Sequence, residues 1–159
     1  MTRRQLFAIL SAIGLAPKAA LAQPAPGTPR ADALRLTDAE WRKRLAPPAY
    51  DVLRHAGTER AGSSPLNDEH RKGLFHCAGC DLPLFGSEAK FDSGTGWPSF
   101  FAPLPGAVVS QTDFKLILPR TEYHCARCEG HQGHVFNDGP APSGKRYCNN
   151  GVADRKSVV

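Results

Sequence analysis

Two Cys-x-x-Cys pairs, Cys77-Ala78-Gly79-Cys80 and Cys125-Ala126-Arg127-Cys128, limit what this 159-residue chain can fold into more than any other feature. A CxxC turn can aim both sulfurs at one point, and two such turns complete a tetrahedron of thiolates. That is the geometry of a closed structural zinc site. The gap between the pairs is longer than in a compact zinc ribbon, so the metal would clamp distant strands together. Gly79 is expected to permit a tight knuckle backbone. Four thiolates fill the shell, which leaves His76 and His124 outside it. Such a site contributes about 10–16 kcal/mol of apparent folding energy, against about 5–15 kcal/mol of net stability for an ordinary domain. The competing reading is a small disulfide within each pair, which an oxidising compartment favours. Redox-active CxxC pairs usually open a helix. Here Gly73 to His76 and Thr121 to His124 read as strands leading into the pairs, which favours metal.

The chain is long enough for one domain with a tail. Three basic residues, Arg3, Arg4 and Lys18, lie in the first 22 positions, which contain no acid; without them the formal charge of +5 falls to +2. That is too little and too scattered for a nucleic-acid surface, so no nucleic-acid partner is expected. Residues 1–22 read as a signal peptide: a basic start, an apolar run over Leu6 to Ala16, and Ala20-Leu21-Ala22 as a cleavage site. The run is too short to span a bilayer core of about 30 Å, so no membrane span is expected after its removal. Thr2-Arg3-Arg4-Gln5-Leu6-Phe7 resembles a twin-arginine export signal, with a general secretory signal as the alternative. Both routes lead to the periplasm, and folded export would let zinc load in a reducing cytosol. Residues 23–35, opening with the Pro-rich Gln23 to Arg30, read as a flexible linker, and residues 36–159 as the folded domain.

Thr37-Asp38-Ala39-Glu40 has the form of a capping box, followed by a short helix through Trp41 and Leu45 that Pro47-Pro48 ends. A second short helix is expected from Pro48 to Arg54. Beyond Gly57 short apolar runs alternate with turn residues: Leu74 to His76, Ala107 to Ser110, Lys115 to Leu118, Thr121 to His124, His134 to Phe136 and Lys145 to Asn149. The expected fold is mainly β and antiparallel.

The fifth cysteine, Cys148, stands apart from the pairs. In a strand, Arg146, Cys148 and Asn150 would share one face. A cation there favours the thiolate, and Asn150 can donate to an oxygen bound nearby. His134 and Phe136 share a face by the same alternation, and a cysteine with a histidine can form an activated nucleophile. A lone buried cysteine is otherwise inert packing.

From about Leu36 to Asn150 the chain resembles the B-type methionine sulfoxide reductases. The resemblance rests on Thr58-Glu59-Arg60, both CxxC pairs, Lys90 to Gly94, Gly96-Trp97-Pro98-Ser99-Phe100, Arg120-Thr121-Glu122, Gly133-His134-Val135-Phe136, Asp138-Gly139-Pro140 and Arg146-Tyr147-Cys148. It implies two antiparallel sheets in a tent-like arrangement behind short N-terminal helices. One structural zinc would be held by Cys77, Cys80, Cys125 and Cys128. The implied activity is reduction of methionine-R-sulfoxide, free or in proteins and peptides, at the expense of an external thiol such as a thioredoxin-like periplasmic donor. A monomer is expected. Cys148 falls at the nucleophile, Trp97 at the residue packed on the sulfoxide methyl, and Phe136 beside it. His131, His134 and Asn150 fall around the sulfoxide oxygen, and Arg146 beside the thiol. Three positions depart from the family pattern: Thr95 where many members carry a resolving cysteine, Gln132 where leucine is usual, and Asn149 where isoleucine is usual. With no second free cysteine, the Cys148 sulfenic acid should persist until an outside thiol reduces it. Two other readings compete: a non-catalytic zinc-ribbon-like binding module, and a Cys–His hydrolase acting through an acyl-enzyme.

Overall fold

A computed structural model describes residues 30–115 and 118–158. The expected signal peptide, residues 1–22, and residues 23–29 of the expected linker lie outside the described residues. Residues 30–35 do not behave as a linker. Arg30 donates to the carbonyl of Gly106 at 2.9 Å, the Leu34 amide donates to the carbonyl of Arg127 at 2.8 Å, and Arg127 forks onto Asp32. The packed region thus begins before Leu36.

Helix α1 spans Asp38–Arg44 and helix α2 spans Pro47–His55. The capping box forms in both directions: the Thr37 hydroxyl accepts from the Glu40 amide, and Glu40 accepts from the Thr37 amide. Pro47 opens α2 as well as following α1, since a first-turn proline lacks only an amide that has no helical partner. Among the described residues no helix is long and apolar enough to cross a membrane.

The rest is two antiparallel sheets. Strands β1 (Gly73–Cys77), β2 (Pro83–Gly86) and β9 (Asp154–Val158) form one, in the order β2-β1-β9. The other contains β3 (Lys90–Phe91), β4 (Ser99–Phe100), β5 (Val108–Asp113), β6 (Arg120–Cys125), β7 (His131–Phe136) and β8 (Arg146–Asn149), in the order β3-β4-β8-β7-β6-β5. The core between them is aromatic. Phe85 stacks on Phe100 at 4.2 Å, with Phe75 and Tyr123 edge-on to the pair, and all four are fully buried.

The expected strand at Lys115 to Leu118 is not formed at its two described ends. Lys115 and Leu118 lie in bends, and residues 116–117 lie outside the described residues. Asp113 ends β5 instead, because its carboxylate accepts from the Lys115 amide at 2.8 Å and turns the chain. Four strands carry no readable signal: β3 and β4 have two residues each, β2 begins at a proline, and β9, Asp-Arg-Lys-Ser-Val, is polar because it lies at an edge.

Candidate active site

Cys148 lies in β8 with a strand on either side. Its register partners are Ser99 on β4 and His134 on β7. The half-buried thiol opens into a shallow pocket walled by Trp97, Phe136, His134, Arg120 and Asn150. Trp97 is held in place by its indole N–H, which donates to the Glu59 carbonyl at 3.2 Å. The loop before it needs Gly96, whose φ is +90° and where a Cβ would stand 2.9 Å from the Gly62 backbone nitrogen. Asn150 follows β8 and does not lie in it; its side chain accepts from the Glu59 amide and donates to the Gln132 carbonyl.

Strict alternation would place His131 and His134, three residues apart, on opposite faces. A β-bulge prevents this. Tyr123 pairs with Gly133 and His124 pairs with His131, so Gln132 is an extra residue on β7. Both histidines therefore face the same way, their rings 5.4 Å apart, and His124 stands 5.7 Å beyond His131. His134 reaches Asp113 through Nε2 at 2.9 Å, and His131 reaches Glu122 through Nδ1 at 2.5 Å. Only His134 borders the pocket; His131 is buried behind it and does not line the space beside Cys148.

The electrostatics follow from these contacts. The Lys115 amide, His134 and Arg120 hold Asp113 well below the usual carboxylate range, so it is ionised. Burial lowers His131 to about 4, which leaves that ring neutral near neutral pH. Arg146 forks onto Asp138 at 2.9 and 2.8 Å and lies 4.3 Å over the Phe136 ring. Arg146 acts on the Cys148 thiol in the downward direction. Burial pushes the Cys148 thiol up, and the opposing pull of Arg146 and of the Thr95 hydroxyl is the smaller effect.

The two CxxC pairs meet. All four sulfurs lie within 4.8 Å of one another and are buried, with Cys77 to Cys128 at 3.6 Å and Cys80 to Cys125 at 3.4 Å. These contacts are far longer than a disulfide bond of about 2.05 Å. They approach the S···S spacing of about 3.8 Å that a tetrahedron of metal–sulfur bonds sets. The cluster can thus hold a metal ion. The two knuckles repeat one another. Asp81 and Glu129, each just after a pair, take left-handed φ of 64° and 58°, and their amides donate to the carbonyls of Cys77 and Cys125. His76 and His124 each contact the carbonyl of that left-handed residue through Nδ1, at 3.2 and 3.1 Å. The left-handed residue of the first knuckle is Asp81, and Gly79 is not among the glycines of positive φ. His76 and His124 brace the turns while staying out of the thiol shell.

The SelR domain family matches residues 45–156. The chain belongs to this family, the B-type methionine sulfoxide reductases. It is 53% identical over 116 residues to a peptide methionine sulfoxide reductase MsrB of Agrobacterium fabrum, covering 72% of this chain and 86% of that one. A Pseudomonas putida protein of the same name is 54% identical over 114 residues, covering 71% and 87%. The chloroplastic peptide methionine sulfoxide reductase B1 of Oryza sativa subsp. japonica is 51% identical over 119 residues, covering 74% of this chain and 56% of its own longer one.

Within the family pattern, the three departures have visible consequences. The Thr95 hydroxyl is tied through Ser93 to Ser99, the register partner of Cys148. Gln132, turned inward by the bulge, donates to the Cys77 sulfur at 3.3 Å. Asn149 accepts from the Tyr123 hydroxyl at 2.6 Å and donates to Asp154 at 2.5 Å. Sequence reasoning assigned no role to Glu59, Asp113 or Glu122. Glu59 fixes Trp97, Asn150 and the amides of Gly151 and Val152 at once. Glu59 and Glu122 lie in stretches already singled out, but the contacts of Glu59 reach the distant Asn150, Gly151 and Val152, and those of Glu122 cross to β5 and β7.

Proposed function

We propose that the chain reduces methionine-R-sulfoxide, free or in peptides and proteins, to methionine, with Cys148 as nucleophile. The observation that carries this reading is one pocket joining a thiol, a carboxylate-held histidine and two aromatic walls, in a chain of this family. The Cys148 sulfur attacks the sulfoxide sulfur, and the sulfoxide oxygen passes to it as a proton reaches that oxygen. The thiol and sulfoxide become a sulfenic acid and methionine, with all atoms conserved. A sulfoxide is a poor electrophile until its oxygen is protonated or hydrogen-bonded, so the reaction needs an acid beside it.

His134 is the candidate donor because it borders the pocket and Asp113 holds its Nε2 edge, which leaves Nδ1 to reach the substrate. His131, neutral and buried, supports His134 from behind. Asn150 lines the pocket, and Arg146 offsets part of the thiol's desolvation. Trp97 and Phe136 offer the methyl an apolar wall, where sulfur–aromatic contact is worth about 0.3–1.5 kcal/mol. Separate places for methyl and oxygen would select one epimer.

The buried cysteine cluster suits zinc, which would serve as a cross-link between segments and take no part at the pocket. The recycling thiol comes from outside, since Thr95 cannot form a disulfide and the other four cysteines are buried in the cluster. The signal-like N-terminus supports twin-arginine export and action in the periplasm as a monomer, with a thioredoxin-like donor there.

A single turnover without reductant tests the proposal. Reduced protein mixed with both sulfoxide epimers should yield one equivalent of methionine from the R epimer and none from the S. Mass analysis should place one added oxygen on Cys148 and none on the other cysteines. A binding module would yield no methionine. A Cys148 disulfide to Cys77, Cys80, Cys125 or Cys128 would overturn the external-thiol step.

A further inference from the structure

The catalytic face of the large sheet continues past His134 into a second group of donors. Glu122, His124 and His131 each present a ligand atom within 4.8 Å of the others. None belongs to the cysteine cluster. The bulge at Gln132 brings them together by setting His131 opposite His124, two residues along β6 from Glu122. Three features suit a cation. His124 donates Nδ1–H to the Glu129 carbonyl at 3.1 Å, which fixes the tautomer and leaves a lone pair on Nε2. That Nε2 lies 3.3 Å from Glu122 Oε1, close to the spacing of about 3.4 Å between two ligands on one tetrahedral zinc. On the outer side stands Gln111, an exposed residue whose side-chain amide donates to both Glu122 and His124 and can swing away.

We propose that Glu122, His124 and His131 form a second metal site, for a divalent transition ion of the zinc type, and that filling it inhibits the enzyme. Two imidazoles and a carboxylate are a zinc-type donor set with a fourth position left for water. His131 Nδ1 now lies 2.5 Å from Glu122 Oε1. An ion bound to both must part them by about 1 Å to reach the ligand spacing. The His131 ring stands 5.4 Å from the His134 ring, so that movement is felt at the pocket. The inhibitory half rests on the proposed role of His134; the binding half does not.

Cobalt(II) is the probe, added to full-length protein already loaded with one equivalent of zinc. A second equivalent should bind with the weak visible bands of a nitrogen and oxygen site, without the intense near-ultraviolet bands of thiolate ligation. Turnover should fall at least several-fold as it binds. His124→Asn keeps a donor for the Glu129 carbonyl and removes the ligand nitrogen. It should retain turnover and melting temperature, lose the second equivalent and escape inhibition. Glu122→Gln should also lose the second equivalent. Cobalt that enters only with thiolate bands, by displacing zinc from the cysteines, overturns the site, as does unchanged binding by His124→Asn. Binding at this site without loss of turnover overturns the inhibition alone, and absent turnover in metal-limited protein counts against the proposed function instead.

Discussion

Cys148 is governed by desolvation more than by the charge next to it. Its thiol is pushed up by burial while Arg146 and Thr95 pull it down. The thiolate fraction, and with it alkylation by iodoacetamide, should therefore be small near neutrality and climb only in the alkaline range. Arg146→Met removes part of the downward pull, so its alkylation profile should shift further alkaline. An unchanged profile would show that Arg146 acts only through Asp138 and Phe136. Asp154 is a second case. It is fully buried beside Asn149, and burial, with the negative Cys125 and Glu59 adding to it, raises its carboxyl well above the usual range. The unfolded chain then releases this proton first. The contribution of Asp154 is intact below the ordinary carboxylate value and is lost as pH rises toward the folded value. Asp154→Asn abolishes that slope, so thermal unfolding of the variant should depend less on pH above the ordinary carboxylate value, and above the folded value it should melt no lower than the parent. A steeper dependence would mean the carboxylate is ionised and held. The residue types at Cys148, His134, Trp97 and Phe136 were readable from the sequence because short motifs carry them. The ionisation of Cys148 was not, since alternation names neighbours and says nothing of the depth at which a side chain lies.

At the scale of elements, the site depends on how closely β7 and β8 approach. Gly133 pairs with Asn149, and a Cβ at Gly133 would overlap the Cys148 carbonyl oxygen. Gly133→Ala must therefore push β8 away or open the bulge. A loss of about 1–3 kcal/mol is expected, the usual cost of overpacking, and turnover should fall by more than stability alone explains, because Cys148 and His134 separate. Equal turnover in chemically stable variant protein would show that the strands can part without disturbing the site. Helices were the most legible elements: the capping box and the two prolines gave their ends within a residue or two. Strands that carry an apolar pattern were legible as well, although Ala107 and Lys145 lie just outside them. The bulge was invisible, because it consists of a mismatch in pairing between β6 and β7 that neither strand shows by itself. Lys115 and Leu118, the ends of another expected strand, lie in bends for a related reason, since an apolar run does not reveal that the preceding Asp113 side chain has already turned the chain.

Over the whole molecule, the cysteine cluster joins what the sheets leave separate. Cys77 ends β1 in the small sheet, Cys125 ends β6 in the large one, and Cys80 and Cys128 follow in the adjoining turns. The helices depend on the same cluster. Leu53 of α2 packs so tightly on Gly130 that a Cβ there would stand 2.8 Å from it. Arg44 and Arg54 donate to the carbonyls of Gly79 and Cys128, while Arg127 donates to that of Cys80. Gln132 adds a tie from the catalytic strand to Cys77. Zinc in this cluster, as proposed, would contribute about 10–16 kcal/mol, which matches or exceeds the net stability of an ordinary domain. Cys128→Ser, or a strong chelator, should thus remove metal, helix and tertiary structure in one transition. Far-ultraviolet dichroism, near-ultraviolet dichroism and metal release should coincide along a chelator titration, and Cys148 should become fully reactive to alkylation at the same point. If helices α1 and α2 were lost first while Cys148 kept its native reactivity, the two sheets would be held by their aromatic core, and the metal would serve only to dock the helices.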